Sequence, residues 1–474
     1  MALNENRMSA FDRLAVLFDV GSVQVLYNED VVACKGRVMG RPVYAYAHDF
    51  SSNAGAMTEG MAAKICEVMD MSLKDMVPLV SINECAGAHI LEGVRSLSGF
   101  GKLFHRNMLA SGVVPQIAAV MGPCAGGAVY SPALADFTVM VKDSSYMFIT
   151  GPGVVKAVTG EEVTKEELGG AGVHSVKSGV AHLVAESELD AIQAIRLLLD
   201  FLPSNNCVQA PHRHTNDSAD RTDETLNNIV PSNPKKPYDM HKVIMNIVDE
   251  GDFFEVHKGW ARNIITGFAR LDGQSVGIVA NQPKILAGVL DCDASRKAAG
   301  FVRFCDAFNI PVITLVDVPG FLCGTAQECS GVITHGAKLI YAYAEATVPK
   351  VTVTLRKSYG GAHISMGSKE LGADVCFAWP SAQIAVMGAE SAAEVIYSKE
   401  LRRIEDPQQR SLIAGQRMME YETGICDPEN SVSHGSVDQI IEPATTRSRV
   451  IDALKQIPVT QPDTPWKKHG CMPI

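Results

Sequence analysis

Short, nearly continuous apolar runs alternate along this chain with longer stretches whose apolar residues recur every three or four positions. Val43-Tyr44-Ala45-Tyr46-Ala47, Pro78-Leu79-Val80-Ser81-Ile82 and Pro115-Gln116-Ile117-Ala118-Ala119-Val120 belong to the first kind and predict buried strands. Met57 to Met71 and Ile90 to Leu109 belong to the second kind and predict helices, and Ala128 to Leu134 predicts the first turns of a small-residue helix. Residues 9–19 predict a short amphipathic helix capped by Ser9. Gly36 to Ala47 predicts two strands joined by a turn at Gly40. Strands and helices alternating at this spacing predict βαβ units with largely parallel strands, and so an α/β fold.

The pattern then repeats. Gly40 opens the run at Val43, and Gly273 opens Val276-Gly277-Ile278-Val279-Ala280. Pro78 follows Gly40 by 38 residues, as Pro311 follows Gly273, and another apolar run follows each proline. Gly126 follows Pro115 by 11 residues, as Gly360 follows Pro349. A period this long, beyond any solenoid repeat, predicts a duplicated domain. Between Phe201 and Asp239 prolines crowd among Asn, Asp, Ser and Lys, which predicts an interdomain linker with one short packed piece at Leu226 to Val230. The expected domains are therefore 1–230 and 231–474. Glu400 to Glu422 predicts a charged, solvated helical hairpin, and the tail Pro465 to Gly470 predicts a packed terminal strand.

Each half carries a glycine pair after a buried strand: Met121-Gly122-Pro123-Cys124-Ala125-Gly126-Gly127-Ala128 in the first and Ser358-Tyr359-Gly360-Gly361-Ala362-His363 in the second. Adjacent glycines at a strand-to-helix junction let backbone N–H groups approach a ligand at the positive end of a helix. That suits an oxyanion hole, whose donors point where charge develops on a carbonyl oxygen. A lone Gly-Gly is more often a tight turn. Two in register predict two related, facing carbonyl-binding sites, and Asn83-Glu84-Cys85-Ala86-Gly87-Ala88-His89 offers a second junction for further donors.

Composition narrows the class. A hydrophobic content of 46% with 20% charged residues is ordinary for a soluble globular protein, and the diffuse net charge of −11 disfavours nucleic acid and anionic membrane as partners. No apolar run reaches the length of a membrane span, and the N-terminus is no secretory signal. Twelve cysteines without C-x-x-C spacing read as reduced thiols, so a cytoplasmic setting is expected. His212 and His214 lack partners at ligand spacing, and no metal is expected.

With these residues in view, the sequence resembles the carboxyltransferase (β) subunit of biotin-dependent acyl-CoA carboxylases, the family of propionyl-CoA carboxylase β, the transcarboxylase large subunit and methylmalonyl-CoA decarboxylase α. The likeness runs through Gly122 to Ala128, Met147-Phe148-Ile149-Thr150-Gly151-Pro152, Glu167 to Ala171, Asn281-Gln282-Pro283, Arg303 to Pro311, Asp317-Val318-Pro319-Gly320-Phe321, Tyr359-Gly360-Gly361 and Lys467 to Gly470. It covers nearly the whole chain.

The resemblance implies two crotonase-like domains in a ring-shaped hexamer, acyl-CoA on the first domain and carboxybiotin on the second, each site completed by another subunit. Carried over by position, Gly126 and Gly127 would bind the thioester oxygen, and Gly361 with Ala362 the ureido oxygen of biotin. Ala86, Gly87, Ala88, His89, Ala125 and Ile364 would line the acyl side; Pro319, Gly320, Phe321, Tyr359, Gly360 and His335 the biotin side. Biotin would arrive on a carrier subunit or domain, charged by a biotin carboxylase, because no Ala-Met-Lys-Met-type attachment site and no P-loop occur here.

Several positions depart from the family pattern. Glu84 to His89 replaces Asp-Ser-Gly-Gly-Ala-Arg, so a permanent charge is lost at His89 and backbone freedom at Ala86. Cys323, Ser330 and Thr334 stand where Pro, Gly and Arg are expected, and His363 where Tyr is common. A basic N-terminal helical segment of relatives is missing, which bears on the CoA end and the hexamer contacts. Two alternatives stay open: a biotin-dependent decarboxylase or transcarboxylase subunit sharing the enolate chemistry, and an inactive paralogue acting as a scaffold. Cys85, Cys124, Met147 and Met387 read as packing residues, and His335 reads equally well as a satisfied structural histidine.

Overall fold

The computed structural model describes residues 7–458 and 465–473. Its strands form two sheets of eight. The first holds β1 (Gln24–Asn28), β2 (Val31–Val38), β3 (Arg41–His48), β4 (Leu79–Cys85), β5 (Gln116–Ala125), β6 (Phe137–Val141) and β8 (Leu183–Ala185) in that order, with β7 (Tyr146–Phe148) paired to the end of β5. The pairs from β3 to β8 are parallel. β1–β2 and β2–β3 are antiparallel.

The second sheet repeats the plan. β9 (Phe253–Val256), β10 (Ile264–Leu271), β11 (Gln274–Asn281), β12 (Val312–Val318), β13 (Lys350–Tyr359), β14 (Val375–Ala378) and β16 (Gln439–Ile440) follow in order, and β15 (Gln383–Ala385) pairs with the end of β13. β10 and β11 are antiparallel; β11 to β14 and β16 are parallel. These are the two related domains that the duplication predicts and that the resemblance implies to be crotonase-like.

Local chemistry explains most elements. The β2–β3 and β10–β11 hairpins turn through Met39-Gly40 and Asp272-Gly273, all four at φ between 48° and 78°, the left-handed pair that a two-residue hairpin loop needs. β4, β5, β12 and β13 are buried almost end to end, as central parallel strands must be. In α1 (Ala10–Leu17) the Ser9 hydroxyl accepts from the Asp12 N–H, as expected of a cap. α2 (Glu59–Asp75) buries Met61, Ala62, Ile65, Val68 and Met69 at helical spacing, and its Thr58 cap accepts from Met61 N–H. α3 (Val94–Ala110) lies against it, while α4 (Cys292–Ala307), α5 (Val332–Glu345) and α6 (Gly360–Ser365) belong to the second half.

Four expectations need correction. The helix expected from Ile90 begins at Val94, because Gly93 (φ 56°, ψ −126°) separates it from a 3-10 turn at Ile90–Glu92. The helix expected from Ala128 is a 3-10 turn over Gly126–Val129 leading into five α-helical residues, Tyr130–Leu134. The chain divides into two compact units at 211/212, with 256–260 and 307–309 belonging to the first, so the expected boundary at 230/231 falls inside the second unit. There Leu226 is buried, the Arg221 guanidinium donates to the Asn246 carbonyl, and Arg447 donates to the Ser218 and Asp217 carbonyls; the proline-rich segment is packed, not free. Finally, residues 465–473 form no strand; Lys467 pairs with Glu345 at 3.2 Å.

Candidate active site

In the first unit β5 ends at Ala125 and the chain passes through Gly126 at φ +61°, a conformation costly for any residue with a Cβ. The helical turn that starts there has no side-chain cap, which leaves its leading amides for a ligand. The second junction lies beside it: a Cβ on Gly126 would stand 4.0 Å from the Gly87 Cα, and one on Gly87 (φ +107°) 3.1 Å from the Ala125 carbonyl. Backbone bonds pin the second junction. Met57 N–H donates to the Gly87 carbonyl at 2.8 Å, His89 N–H to the Met57 carbonyl at 2.9 Å, and Ala86 N–H to the Ala54 carbonyl at 3.1 Å. Ala86, Gly87, Ala88, Ala125, Gly126 and Gly127 thus form one cluster. His89 is half-buried and its Nδ1 has no hydrogen-bond partner.

The second unit rebuilds this geometry. Gly360 has φ +60° at the head of α6, again without a side-chain cap. Leu290 N–H donates to the Gly320 carbonyl at 3.1 Å and Leu322 N–H to the Leu290 carbonyl at 2.7 Å, so Pro319-Gly320-Phe321 takes the place of Ala86-Gly87-Ala88. The Phe321 ring ties the parts together, since a Cβ on Gly361 would stand 3.9 Å from it and one on Gly336 of α5 3.0 Å. Gly361 is exposed and Ala362 buried. His335 follows the N-terminus of α5 with Nδ1 unpartnered, its pKa lowered by burial and then by Lys338 and Arg296.

Tyr359 is turned elsewhere. Its ring packs toward Gly388 and its hydroxyl donates to Gln383 Oε1, which commits it to the helical region beyond β15. Ile364 is half-buried on α6. His363 Nδ1 lies 2.9 Å from Ser358 Oγ, and burial lowers its pKa.

Neither thiol near the acyl-side glycines is a nucleophile. Burial pushes Cys85 up to about 11 and Cys124 well above its usual value, and both sit in the core of the first sheet, as Met147 does. Met387 packs against a small cluster in the second unit. Among the described residues no group of three His, Cys, Asp or Glu suits a metal ion, and no helix is long and apolar enough to cross a membrane.

Sequence reasoning missed three features that hold these junctions. One is a loop in left-handed conformation, Asn53-Ala54-Gly55 in the first unit and Leu286-Ala287-Gly288 in the second, on which the ends of β4 and β12 rest. The Ala-Gly dipeptide recurring in the repeat register was its only trace. The others are a buried acid at the end of each of those strands, Glu84 and Asp317, and the arginines that neutralise them. No local pattern marks such partners.

The comparisons with known proteins agree with this geometry. Residues 7–472 match the carboxyl transferase domain family. The propionyl-CoA carboxylase carboxyltransferase subunit of Haloferax mediterranei is 53% identical over 95% of this chain and 86% of its own length. Methylmalonyl-CoA decarboxylase subunit alpha of Veillonella parvula is 50% identical over 99% and 94%. A solved transcarboxylase 12S, described as a hexamer assembly with methylmalonyl-coenzyme A and methylmalonic acid bound, superposes with a TM-score of 0.95 at 46% identity, covering 99% of this chain and 92% of that one. Two copies of one glycine-headed junction, in a fold shared from end to end with these proteins, make this chain a carboxyltransferase of the carboxyl transferase domain family.

Proposed function

We propose that the chain moves a carboxyl group between carboxybiotin, borne by a partner carrier, and the α-carbon of a short-chain acyl-CoA of the propionyl/methylmalonyl or acetyl/malonyl type. The observation that carries this reading is the left-handed glycine at the head of an uncapped helical turn in both units, Gly126 and Gly360. Removing the α-proton of a thioester develops negative charge on its carbonyl oxygen. The amides of Gly126 and Gly127, with the neighbouring Gly87-Ala88 turn, hold that charge without reorganising, and donors of this kind account for about 3 kcal/mol each. Gly361 and Ala362 do the same for the ureido oxygen on the biotin side, where Phe321 supplies an apolar surface beside the amides. Carboxybiotin supplies the carboxyl group and, at its ureido nitrogen, a seat for the proton.

That assignment suits the side chains. Burial raises the Cys85 pKa to about 11, so it is a poor acid and no thiolate base, and burial lowers the basicity of the His363 imidazole, whose Nδ1 is engaged by Ser358. The likeness to carboxylase subunits and to the hexameric 12S assembly supports a homohexamer working with a biotin carboxylase and a biotin carboxyl carrier. A decarboxylase or transcarboxylase subunit is the second reading, since decarboxylase alpha subunits align over as much of the chain. It runs the same transfer from a malonyl-type CoA onto biotin.

The test incubates the purified protein with methylmalonyl-CoA or malonyl-CoA and free biotin and follows carboxyl transfer. In the forward sense carboxybiotin is supplied with propionyl-CoA or acetyl-CoA. Failure of transfer in both directions, with a folded oligomer, would favour the scaffold. Streptavidin blotting checks the carrier assignment: the chain itself should carry no biotin.

A further inference from the structure

Behind the acyl-side junctions lies a group of four charged side chains for which the transfer chemistry has no use. Glu84 at the end of β4 is 1% exposed, and Arg13 of α1 is 3% exposed. Arg13 Nη1 donates to Glu84 Oε2 at 2.9 Å, while its Nε and Nη2 donate to Glu188 at 3.0 and 2.6 Å. Burial alone would disfavour this guanidinium, but Glu188 and Glu84 outweigh it and hold Arg13 charged. Arg7 completes the group. Its Nη1 lies 2.7 Å from Glu84 Oε1, its Nε donates to Glu188 Oε1 at 3.4 Å, and its Nη2 donates to the Met121 carbonyl at 2.6 Å.

The location matters because the sheet ladder breaks there. β4 and β5 pair in register up to Asn83–Val120, and the next aligned pair is Cys85–Cys124. Met121-Gly122-Pro123 therefore bulges opposite the single residue Glu84, and a Cβ on Gly122 would fall 2.4 Å from the Glu84 carboxylate. Beyond this bulge, the two strands end in Ala86-Gly87 and Ala125-Gly126. The β4–β5 ladder does not span the bulge, although Pro123 pairs with Tyr146 of β7 on its other side; Arg7 reaches across it, donating to the Met121 carbonyl of one strand and pairing with Glu84 of the other.

The second unit has the same break, between Val316–Thr354 and Val318–Ser358. There the bulge carries its own clamp: Arg356 Nε donates to Asp317 Oδ2 at 3.0 Å, and Lys357 N–H donates to Asp317 Oδ1 at 3.2 Å.

We infer that Arg7 and Arg13 are positioning residues for the acyl-side oxyanion donors: they set the spacing between the Gly87-Ala88 turn and the Gly126-Gly127 amides by clamping the bulge between β4 and β5. The inference rests on the acyl-CoA reading above. The clamp comes from residues 7–13 onto the acyl-side junctions, whereas the biotin-side bulge is held by its own Arg356.

The experiment uses the full chain in its native assembly with Arg7→Met, which removes a partly exposed guanidinium and leaves the buried Arg13–Glu84 pair in place. Three quantities are read: exchange of the α-proton of propionyl-CoA with deuterated water in the presence of free biotin as the proton acceptor, decarboxylation of carboxybiotin without acyl-CoA, and backbone amide exchange by mass spectrometry. Arg7→Met should slow α-proton exchange about 10- to 100-fold, the scale of a misplaced catalytic group, with KM for propionyl-CoA within about threefold. Carboxybiotin decarboxylation should stay within about twofold. Amide exchange should quicken in 84–92 and 121–130 and not in 317–325 or 355–365. Arg7→Lys should recover part of the loss, because an ammonium restores a counter-charge facing Glu84 but lacks the forked reach to Met121.

Equal losses in both partial reactions, or unchanged amide protection at 84–92 and 121–130, would overturn the clamp. A wild-type protein inert toward every acyl-CoA would instead refute the acyl-CoA reading, and the amide exchange would still decide whether Arg7 holds the bulge.

Discussion

The two halves of this protein solve one structural problem with different parts. Each places a carboxylate near the end of its sheet's fourth strand, buried to 1% exposure, opposite a bulge that leads to the glycine pair. In the second half the counter-charge is Arg356, on the bulge itself, with its guanidinium also donating to the Lys236 carbonyl and lying 5.0 Å from the Tyr238 ring. In the first half the corresponding position is Gly122, and the counter-charge comes from Arg7 and Arg13, more than 70 residues earlier in the chain. A duplicated fold preserves backbone geometry more strictly than it preserves which side chain stabilises it. The junctions match in register and, at Gly126 and Gly360, in φ, whereas the charges behind them do not match.

A second pair makes the same point. Asp136 accepts from Gln116 N–H at 2.8 Å, and Asp374 accepts from Lys350 N–H at 2.8 Å. Asp374 has the Lys350 ammonium as a charge partner. Asp136 has only the Gln116 amide against the effect of burial, which pushes it up to about 7.

The comparison can be broken in order of effect. Arg356→Met removes the ion-pair partner of buried Asp317, leaving only the charge of the neighbouring Lys357, and should cost about 3–5 kcal/mol of stability. Arg13→Met should cost less, because Arg7 still faces Glu84. Equal shifts in the denaturant midpoint would mean that the two clamps are equivalent after all.

Next come the glycines. Gly361→Val has room beside Phe321 and no strained φ, so it should stay folded and oligomeric and lose at least about a hundredfold in turnover, the equivalent of one lost donor. Gly126→Val adds left-handed strain, about 1–2 kcal/mol, to a similar loss. Near-normal turnover by folded Gly361→Val would move the biotin-side hole elsewhere.

A smaller effect is expected at Ile364. An aliphatic residue discriminates one methylene by about 1–3 kcal/mol at most, so propionyl-CoA and acetyl-CoA should both be accepted. Ile364→Asp should change their ratio of kcat/KM more than it changes stability. An unchanged ratio removes Ile364 from the acyl pocket, and wild-type selectivity above about a thousandfold would assign the choice to polar groups instead.

The smallest shift concerns Asp136. A carboxyl whose folded pKa is raised binds its proton more tightly when folded, so the stability it contributes is fully present below the unfolded pKa of about 3.9. That contribution falls as pH rises toward 7 and is level above. Asp136→Asn should therefore gain on the wild type between pH 5 and pH 8, by an amount on the order of 1–2 kcal/mol once solvent screening is allowed for. A gap in thermal midpoint that does not change with pH would mean that Asp136 is ionised throughout.

Much of this was legible in the sequence, and for a local reason. The central strands, the hairpin turns at Gly40 and Gly273, the Ser9 cap and both glycine pairs depend on residues within one turn or one strand, where periodicity and backbone sterics act directly. The duplication was legible because equal spacings between such local signals survive side-chain change. What only the tertiary structure decided is long-range. Arg13 meets Glu84 across 71 residues and Glu188 across 175, and the proline-rich segment joins the second unit through Arg447, about 230 residues away from the carbonyls it binds. A charged residue carries the same sequence signature whether it is solvated or buried against a partner. Its role is set by burial, which strengthens the pairing and penalises its loss, and burial belongs to the folded chain alone.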